Sequence, residues 1–512
     1  MKQYLLLTTL FLSSLAFAQT PEEGLRTAWF TQNGTARNMA IGGAMGSLGG
    51  DITSNHINPA GIGLFKTSEL VFSLGALKNN NEFNYRGTAN SNDKGIMKYG
   101  AMGIIIGMTN PYKNEAVKSS AFSLSVNQLA SYNNRISYKG FNNYSSFSEQ
   151  YLEELKYDNA DTNAALSNYI FGSTLGFRTY LIDTVNDATG KFNGYKSLVP
   201  ISTGINQDYN ALTKGGYHEI ALGFATNVRN QWYFGGSLTI PLVSYQRELD
   251  YTESDATNNP NNDFAYFNYK ESLKSFGVGI GLKLGAIYRT NTSWRLGFAI
   301  HTPQFISFKD KIRSSMITNT ENFKGVRTES SDALNDFNAG ERKYTVTTPY
   351  RVIASASYVF NETENTQKQR GFLSADIEFV NYRGARFSRT DENGDAITGY
   401  YKKLNNTVKD IYKGNVNFKI GGELKFNPVA IRLGAAYYGS PYNDDNINAS
   451  RMVVSGGVGY RNKGLFIDLT ISQTVINDAQ FPYRLSPEFK ANTYATQTGD
   501  VRNVMLTVGF KL

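Results

Sequence analysis

Three histidines are the only imidazoles in 512 residues: His56, His218 and His301. An imidazole can move a proton, ligate a metal or hold a haem iron. None of the three stands in an H-E-x-x-H or H-x-x-E-H spacing, so no helix-borne metal pair is encoded. His218-Glu219 is the one adjacent acid–base pair, but on a strand neighbouring side chains point to opposite faces, which makes a poor dyad. The chain has no cysteine, which removes thiolate metal sites, thiol nucleophiles and disulfides. No phosphate-binding P-loop is present. These residues give no basis for an enzyme, a metal or a cofactor. The net charge of +8 is dispersed, without the basic cluster that nucleic-acid binding needs.

The elements that carry these residues explain more than the residues do. Residues 1–18 have the layout of a secretory signal peptide: Lys2, an apolar run from Tyr4 to Leu15, and Ala16-Phe17-Ala18 as the cleavage site. The mature chain then starts at Gln19. Beyond Ala18 no run of 18 apolar residues occurs, so no transmembrane helix is expected. The 33 Tyr, 32 Phe and 48 Gly instead suit aromatic-girdled β-structure with small residues inside it.

The clearest strand is FGVGIGLKLGAIY, Phe276 to Tyr288. Phe276, Val278, Ile280, Leu282, Leu284, Ala286 and Tyr288 fall on one face. Gly277, Gly279, Gly281, Lys283 and Gly285 fall on the other, with Ile287 the exception. At about 3.3 Å per residue and a tilt of about 40°, this strand rises about 30 Å, the thickness of a bilayer's hydrocarbon layer. Trp294 to Ile300, Trp232 to Leu242 and Val504 to Leu512 repeat the pattern. Fourteen candidate strands emerge, near 69–77, 98–108, 119–139, 217–226, 232–250, 266–289, 294–309, 344–360, 371–388, 412–426, 429–440, 450–460, 465–477 and 499–512. Short links (Arg289 to Ser293, Asn427-Pro428, Arg461 to Gly464) alternate with long polar inserts (Asp310 to Lys343, Arg389 to Ile411), the asymmetry of a membrane barrel. Hydrocarbon tolerates no open sheet edge, so such strands must close on themselves. The expected fold is all-β: a 14-stranded antiparallel transmembrane β-barrel over 67–512.

Residues 19–66 precede the barrel, are rich in Gly and Ala, and are too few to fold alone. A fourteen-strand lumen is wide enough to need a filling, and this segment is expected to plug it. It ends in INPAGIG, Ile57 to Gly63. Pro59 fixes its own φ and biases Asn58 away from the α region. Asn58 can bond its own nearby backbone, and Gly61 and Gly63 allow backbone that a side chain would block. The lumen-facing glycines at 277, 279, 281 and 285 leave room for a plug or ligand. The largest insert, 140–216, holds a capping box, Ser146 to Glu149, ahead of a helix that puts Phe147, Tyr151, Leu152 and Leu155 on one face. A second helical stretch, 164–180, carries Leu166, Tyr169, Ile170, Phe171 and Leu175. Together they either cover each other or line an exterior apolar groove, for which Phe147, Tyr151, Leu152, Leu155, Tyr169 and Phe171 are the candidates.

The stretch Gly34 to Gly63, GTARNMAIGGAMGSLGGDITSNHINPAGIG, resembles the N-terminal plug of the FadL/TodX-type outer-membrane transporters of long-chain fatty acids, in the form common among Bacteroidetes-like bacteria. Segments 281–303, 371–387 and 421–441 extend the resemblance in order along the chain. It implies a Gram-negative outer-membrane location and passive uptake of hydrophobic molecules such as fatty acids. It also implies a capture groove in the loops, a deeper lumenal site, and a lateral exit where strand 3 kinks inward. Asn58, Pro59, Ala60 and Gly61 carry the plug signature. The kink should lie in 121–138, although no Gly or Pro marks it there. The implied partners are apolar small molecules, membrane lipid with lipopolysaccharide, and the barrel assembly machinery, for a monomeric protein. A scaffold subunit of an outer-membrane secretion or assembly complex, and a hemin receptor, are the alternative roles.

Overall fold

The computed structural model describes residues 20–512 except 113, 291–292, 362–368, 391–396, 398, 448 and 487. The leader expected over residues 1–18 lies outside the described residues.

Fourteen antiparallel strands form one closed barrel. Strand 1 is Glu69–Tyr85; strand 2 runs Thr88–Tyr99 and, after a break, Met102–Thr109; strand 3 runs Val117–Ser131 and Asn134–Asn142. Strands 4, 5 and 6 are unbroken 24-residue elements, Ile205–Val228, Trp232–Asp255 and Tyr266–Arg289. Strands 7, 8 and 9 are each interrupted once: Trp294–His301 with Phe305–Asn319, Gly340–Thr347 with Arg351–Phe360, and Gly371–Asn381 with Arg386–Ser388. Strands 10 to 14 are Gly414–Phe426, Val429–Tyr438, Ser450–Asn462, Leu465–Gln480 and Ala495–Lys511. Strand 14 pairs with strand 1 from Lys511↔Glu69 to Thr496↔Asn84, which closes the sheet.

The alternation in sequence becomes two surfaces. Phe276, Val278, Ile280, Leu282 and Leu284 are exposed on the outside, as are Leu296, Phe298, Ile420, Leu433 and Ile471 around the circumference. Inward positions carry Gly, Ser, Thr and charged groups. The 229–231, 427–428 and 463–464 turns lie at one end, called here the turn end. The 143–204 and 320–339 connections lie at the other, the loop end.

Several strand boundaries differ from the sequence reading. Strand 1 runs to Tyr85 and strand 2 starts at Thr88, where loop was expected over 78–97. Strand 4 starts at Ile205, not near 217, so the large insert shrinks to 143–204. Strand 7 runs on to Asn319. The cause is common: these strands continue beyond the apolar belt, where outward positions are Lys78, Asn80, Glu82, Lys309 and Lys311, and no greasy face remains to be read. Within the insert, the first helix is Glu149–Tyr157. The expected second helix, 164–180, is instead two short ones, Thr162–Ser167 and Ser173–Arg178, separated around Gly172. A hairpin, Ile182–Asn186 with Phe192–Ser197, follows.

Residues 20–65 fill the lumen. They form short helices Pro21–Arg26, Ala36–Ala40 and Ser54–Ile57 and a 3-10 turn Pro59–Leu64. Thr35 caps the second helix by accepting from Asn38 N at 3.2 Å. Ile41, Met45, Leu48 and Ile57 pack with Ala299, Ile353, Val359 and Phe372 of the wall.

Candidate functional site

The N-terminal segment is seated by polar contacts and by missing side chains. Asn58 is extended (φ −136°, ψ 99°), and its Oδ1 accepts from Ala60 N at 3.1 Å. Its Nδ2 donates to Gly46 O at 2.6 Å and reaches the strand 6 and 7 carbonyls of Ala286 and Phe298. A Cβ on Gly285 would overlap the Asn58 carboxamide, and one on Gly235 would strike Pro59. Gly61 touches Gly49, so neither can carry a side chain. Gly277, Gly279 and Gly281 serve differently from expectation: their space is taken by Phe308, Ile306 and Gln304 of the neighbouring strand 7.

A buried ionic cluster ties the segment to the wall. Glu219 accepts from His56 Nδ1 at 2.8 Å, from Lys283 Nζ at 2.5 Å and from Gln304 Nε2 at 2.8 Å. Lys283 also donates to His56 O at 3.1 Å, and His301 Nε2 donates to Ile57 O at 2.7 Å. His218, by contrast, faces outward, so His218 and Glu219 lie on opposite faces of strand 4. Farther round, Gly46 N donates to Asp376 at 2.9 Å, and Arg295 to Leu48 O at 2.8 Å. Glu219 and Lys283 form an ion pair, and Asp376 and Arg295 are hydrogen-bonded to the segment's backbone, as an ion out of water must find partners.

Above the segment lies a cavity of about 900 Å³. Its floor is Leu25, Trp29, Phe30 and Met39. Its roof is Phe147, Tyr151 and Phe171 from the large insert. Of the six groove candidates, these last three line the cavity, while Leu152, Leu155 and Tyr169 pack inside the cap with Ala165, Leu175 and Ile182. Half of the expected capping box is present: Ser146 N donates to Glu149 at 2.9 Å, while the Ser146 hydroxyl goes to Glu253. Glu154 also lines the cavity. Burial pushes its carboxyl up to about 7, against the lowering effect of its hydrogen bond from Ser173. Arg247 is paired with Glu271 at 2.5 Å, and Arg484 with Glu22. Lys98 of strand 2 points into the same space, and no ion pair to it occurs among the described residues.

Among the wall positions that line the cavity are Lys98 and Gln128, at a seam between strands 2 and 3. Strands 2 and 3 pair only from Met102↔Val126 to Thr109↔Ser119. Toward the loop end the ladder stops. Residues 134–142 of strand 3 pair with strand 4 alone, and none pairs with Thr88–Tyr99. The upper part of strand 3 has sunk into the lumen. Asn79 and Asn81, lumen-facing on strand 1, reach past strand 2 to Asn133 O (3.3 Å) and Asn134 Oδ1 (2.9 Å). Phe83 and Tyr85 pack on Tyr138. The bend begins at a register shift between Gln128 and Ala130 and is completed at Tyr132-Asn133. Tyr132 N bonds Gly215 O at 3.0 Å, and Thr213 Oγ1 donates to Tyr132 O at 2.6 Å.

From inside, Asn33 bridges the seam. Its Nδ2 donates to Tyr99 O (2.9 Å) and Gln128 O (2.7 Å), and Asn127 Nδ2 returns a bond to Asn33 O at 3.0 Å. Asn33, Lys98, Tyr99, Gln128 and His218 were not legible as a group, because they come from four separate stretches. One local signal existed: strand 3 bends without a glycine, but its partner carries Gly215-Gly216. Gly215 has φ +114°, where a Cβ would strike Ser244 O.

No protein-family model and no curated protein matches the sequence. The fold is similar to the crystal structure of a Pseudomonas aeruginosa FadL homologue, with a TM-score of 0.55 and 12% identity over 94% of this chain and 99% of that one. It is also similar to the Pseudomonas putida toluene transporter TodX, at 0.51 and 13% over 94% and 99%. At such identities the likeness is one of fold.

Proposed function

We propose that the chain is an outer-membrane channel for hydrophobic molecules, with residues 20–65 as its plug and the strand 2–3 seam as its lateral exit. The observation that carries this reading is a cavity running from beneath the loop cap to the seam where the strand 2–3 ladder stops at Met102↔Val126 and does not resume toward the loop end. A water-filled pore does not help a molecule that avoids water. An aromatic-lined pocket beside a gap in the wall can pass such a molecule straight into the bilayer. The outward apolar belt and the sorting of short turns from long loops support a membrane location with the loop end outside. The toluene transporter has this fold, which supports apolar cargo as a class.

The Phe147–Tyr151–Phe171 roof receives the molecule, the floor at Trp29, Phe30 and Met39 stops it, and Lys98 meets an anionic head group if there is one. Each buried CH₂ contributes about 0.8 kcal/mol, so retention should rise about fourfold per methylene. The test is reconstitution into vesicles and uptake of fluorescent fatty acids of rising chain length, with a small sugar as control. Apolar uptake above that of empty vesicles, without sugar leakage, is expected. K98M should slow carboxylate-bearing probes and leave neutral hydrocarbons unchanged. Equal apolar uptake with and without the barrel refutes the reading.

A further inference from the structure

The outer surface of the seam carries a second closure, distinct from the Asn33 bridge within. Tyr99 stands opposite Leu74 in the strand 1–2 ladder, and Leu74 is 60% exposed on the outside of the belt. Cross-strand partners share a face, so Tyr99 also points outward. His218 stands opposite Gln128 on strand 4, in the outward series that continues through Ile220, Leu222 and Phe224. Tyr99 and His218 belong to strands 2 and 4, which are not neighbours, yet the phenol oxygen lies 2.6 Å from His218 Nδ1. Their rings stack with centroids 5.4 Å apart and planes 16° from parallel. They meet because strand 3 has sunk away between them.

This is a polar patch in a greasy belt. Below it the outward positions are Phe72, Leu124, Leu222 and Phe224, and beside it Met97 is exposed. Gln128 shares the face and is only 8% exposed, and its Oε1 accepts from Tyr99 N at 3.3 Å. Polar groups beside acyl chains are costly unless they find partners: the phenol and the imidazole satisfy each other, and the Gln128 carboxamide oxygen takes the Tyr99 backbone amide. The patch coincides with the last residue of strand 2 before the ladder to strand 3 resumes.

We propose that Tyr99 and His218 form the outer latch of the lateral exit and set which molecules leave through it. The inference rests on the exit reading above. Tyr99 is the shared hinge point: Asn33 holds its carbonyl from the plug side, and His218 holds its hydroxyl from the lipid side. Withdrawal of Asn33 alone leaves the rings stacked across the gap. A molecule passes when the pair separates, and a phenol and an imidazole then face hydrocarbon without partners. Cargo with one hydroxyl or carboxyl can satisfy them in transit, whereas a pure hydrocarbon cannot. The pair therefore favours amphiphiles over hydrocarbons of equal width.

The natural chain has no cysteine, so a cysteine pair can be addressed uniquely. The experiment uses the full chain in vesicles with a fluorescent fatty acid and a polycyclic hydrocarbon as probes. Y99C/H218C bridged by a short bifunctional thiol reagent should lose at least tenfold in transfer of both probes and recover on cleavage of the reagent. L74C/L506C, bridged likewise across the intact strand 1–14 ladder, should not. Y99F removes only the phenol oxygen and should raise hydrocarbon transfer severalfold more than fatty-acid transfer. Wild-type barrels that move neither probe overturn the transport reading and this inference with it. Active wild-type barrels whose bridged latch variant keeps pace, or a Y99F variant with an unchanged probe ratio, overturn the latch alone.

Discussion

Strands 4 to 6 and strands 2 to 3 solve one problem in opposite ways. Strands 4 and 5 pair in register from Ile205↔Asp255 to Val228↔Trp232, and strands 5 and 6 pair over nearly the same span. Their backbone groups are satisfied by one another. At the seam the same groups are satisfied by side chains: Asn33 on Tyr99 O and Gln128 O, Gln128 on Tyr99 N, Asn92 Nδ2 on Ser137 O at 2.9 Å. A ladder can be undone only by separating strands. A carboxamide bond can be exchanged by rotating one side chain. The barrel is therefore rigid where strands 4 to 6 bond each other and adjustable where Asn33 of the N-terminal segment completes the wall.

The contrast can be broken most forcefully on the rigid side. E219A removes the carboxylate that pairs with Lys283 and His56 and leaves a buried ammonium alone, which should cost about 3–5 kcal/mol. Thermal unfolding in detergent reads it, and a midpoint equal to wild type would show that the cluster does not anchor the segment. G285A comes next. Its methyl would displace Asn58, an overpacking worth about 1–3 kcal/mol. Protease sensitivity of residues 20–65 should rise, with strands 10 to 14 unaffected.

N33A sharpens the comparison from the flexible side. Two carbonyls lose their donor, at about 1–3 kcal/mol each if water does not reach them. Hydrogen exchange at residues 99–103 and 126–129 should accelerate at least tenfold while strands 4 to 6 stay protected. Uniform acceleration would mean that the wall opens as one unit. The smallest effect concerns the cap. Glu154 holds its proton to about pH 7 in the folded state, against 4.5 as an ordinary glutamate. Between those values the unfolded cap binds fewer protons than the folded one, so cap stability falls as pH rises from about 4.5 to about 7 and is level above. Exchange in the Glu149–Tyr157 helix, corrected for intrinsic rates, should increase over that window, and E154Q should abolish the trend.

Much of this was readable in advance. Period-two runs such as Phe276 to Tyr288 gave strand, face and span together, because a strand's side chains alternate whatever lies around them. INPAGIG announced a stiff turn, and Asn58 makes the local bond expected of it. The readings failed where the physics was not local. Strand 1 beyond Leu77 has no apolar outer face because it leaves the belt, and the glycines at 277, 279 and 281 give way to Phe308, Ile306 and Gln304 rather than to the N-terminal segment. His218 looked like an isolated imidazole because its partner is 119 residues away.

The sequence by itself determined a closed cylinder with a greasy exterior, since outward alternation and the cost of bare backbone in hydrocarbon allow little else. Only the tertiary structure decided where that cylinder is incomplete. The seam depends on residues 33, 99, 128 and 218, which meet only after the strands have closed. No local pattern records a meeting whose bonds run between side chains so distant along the chain.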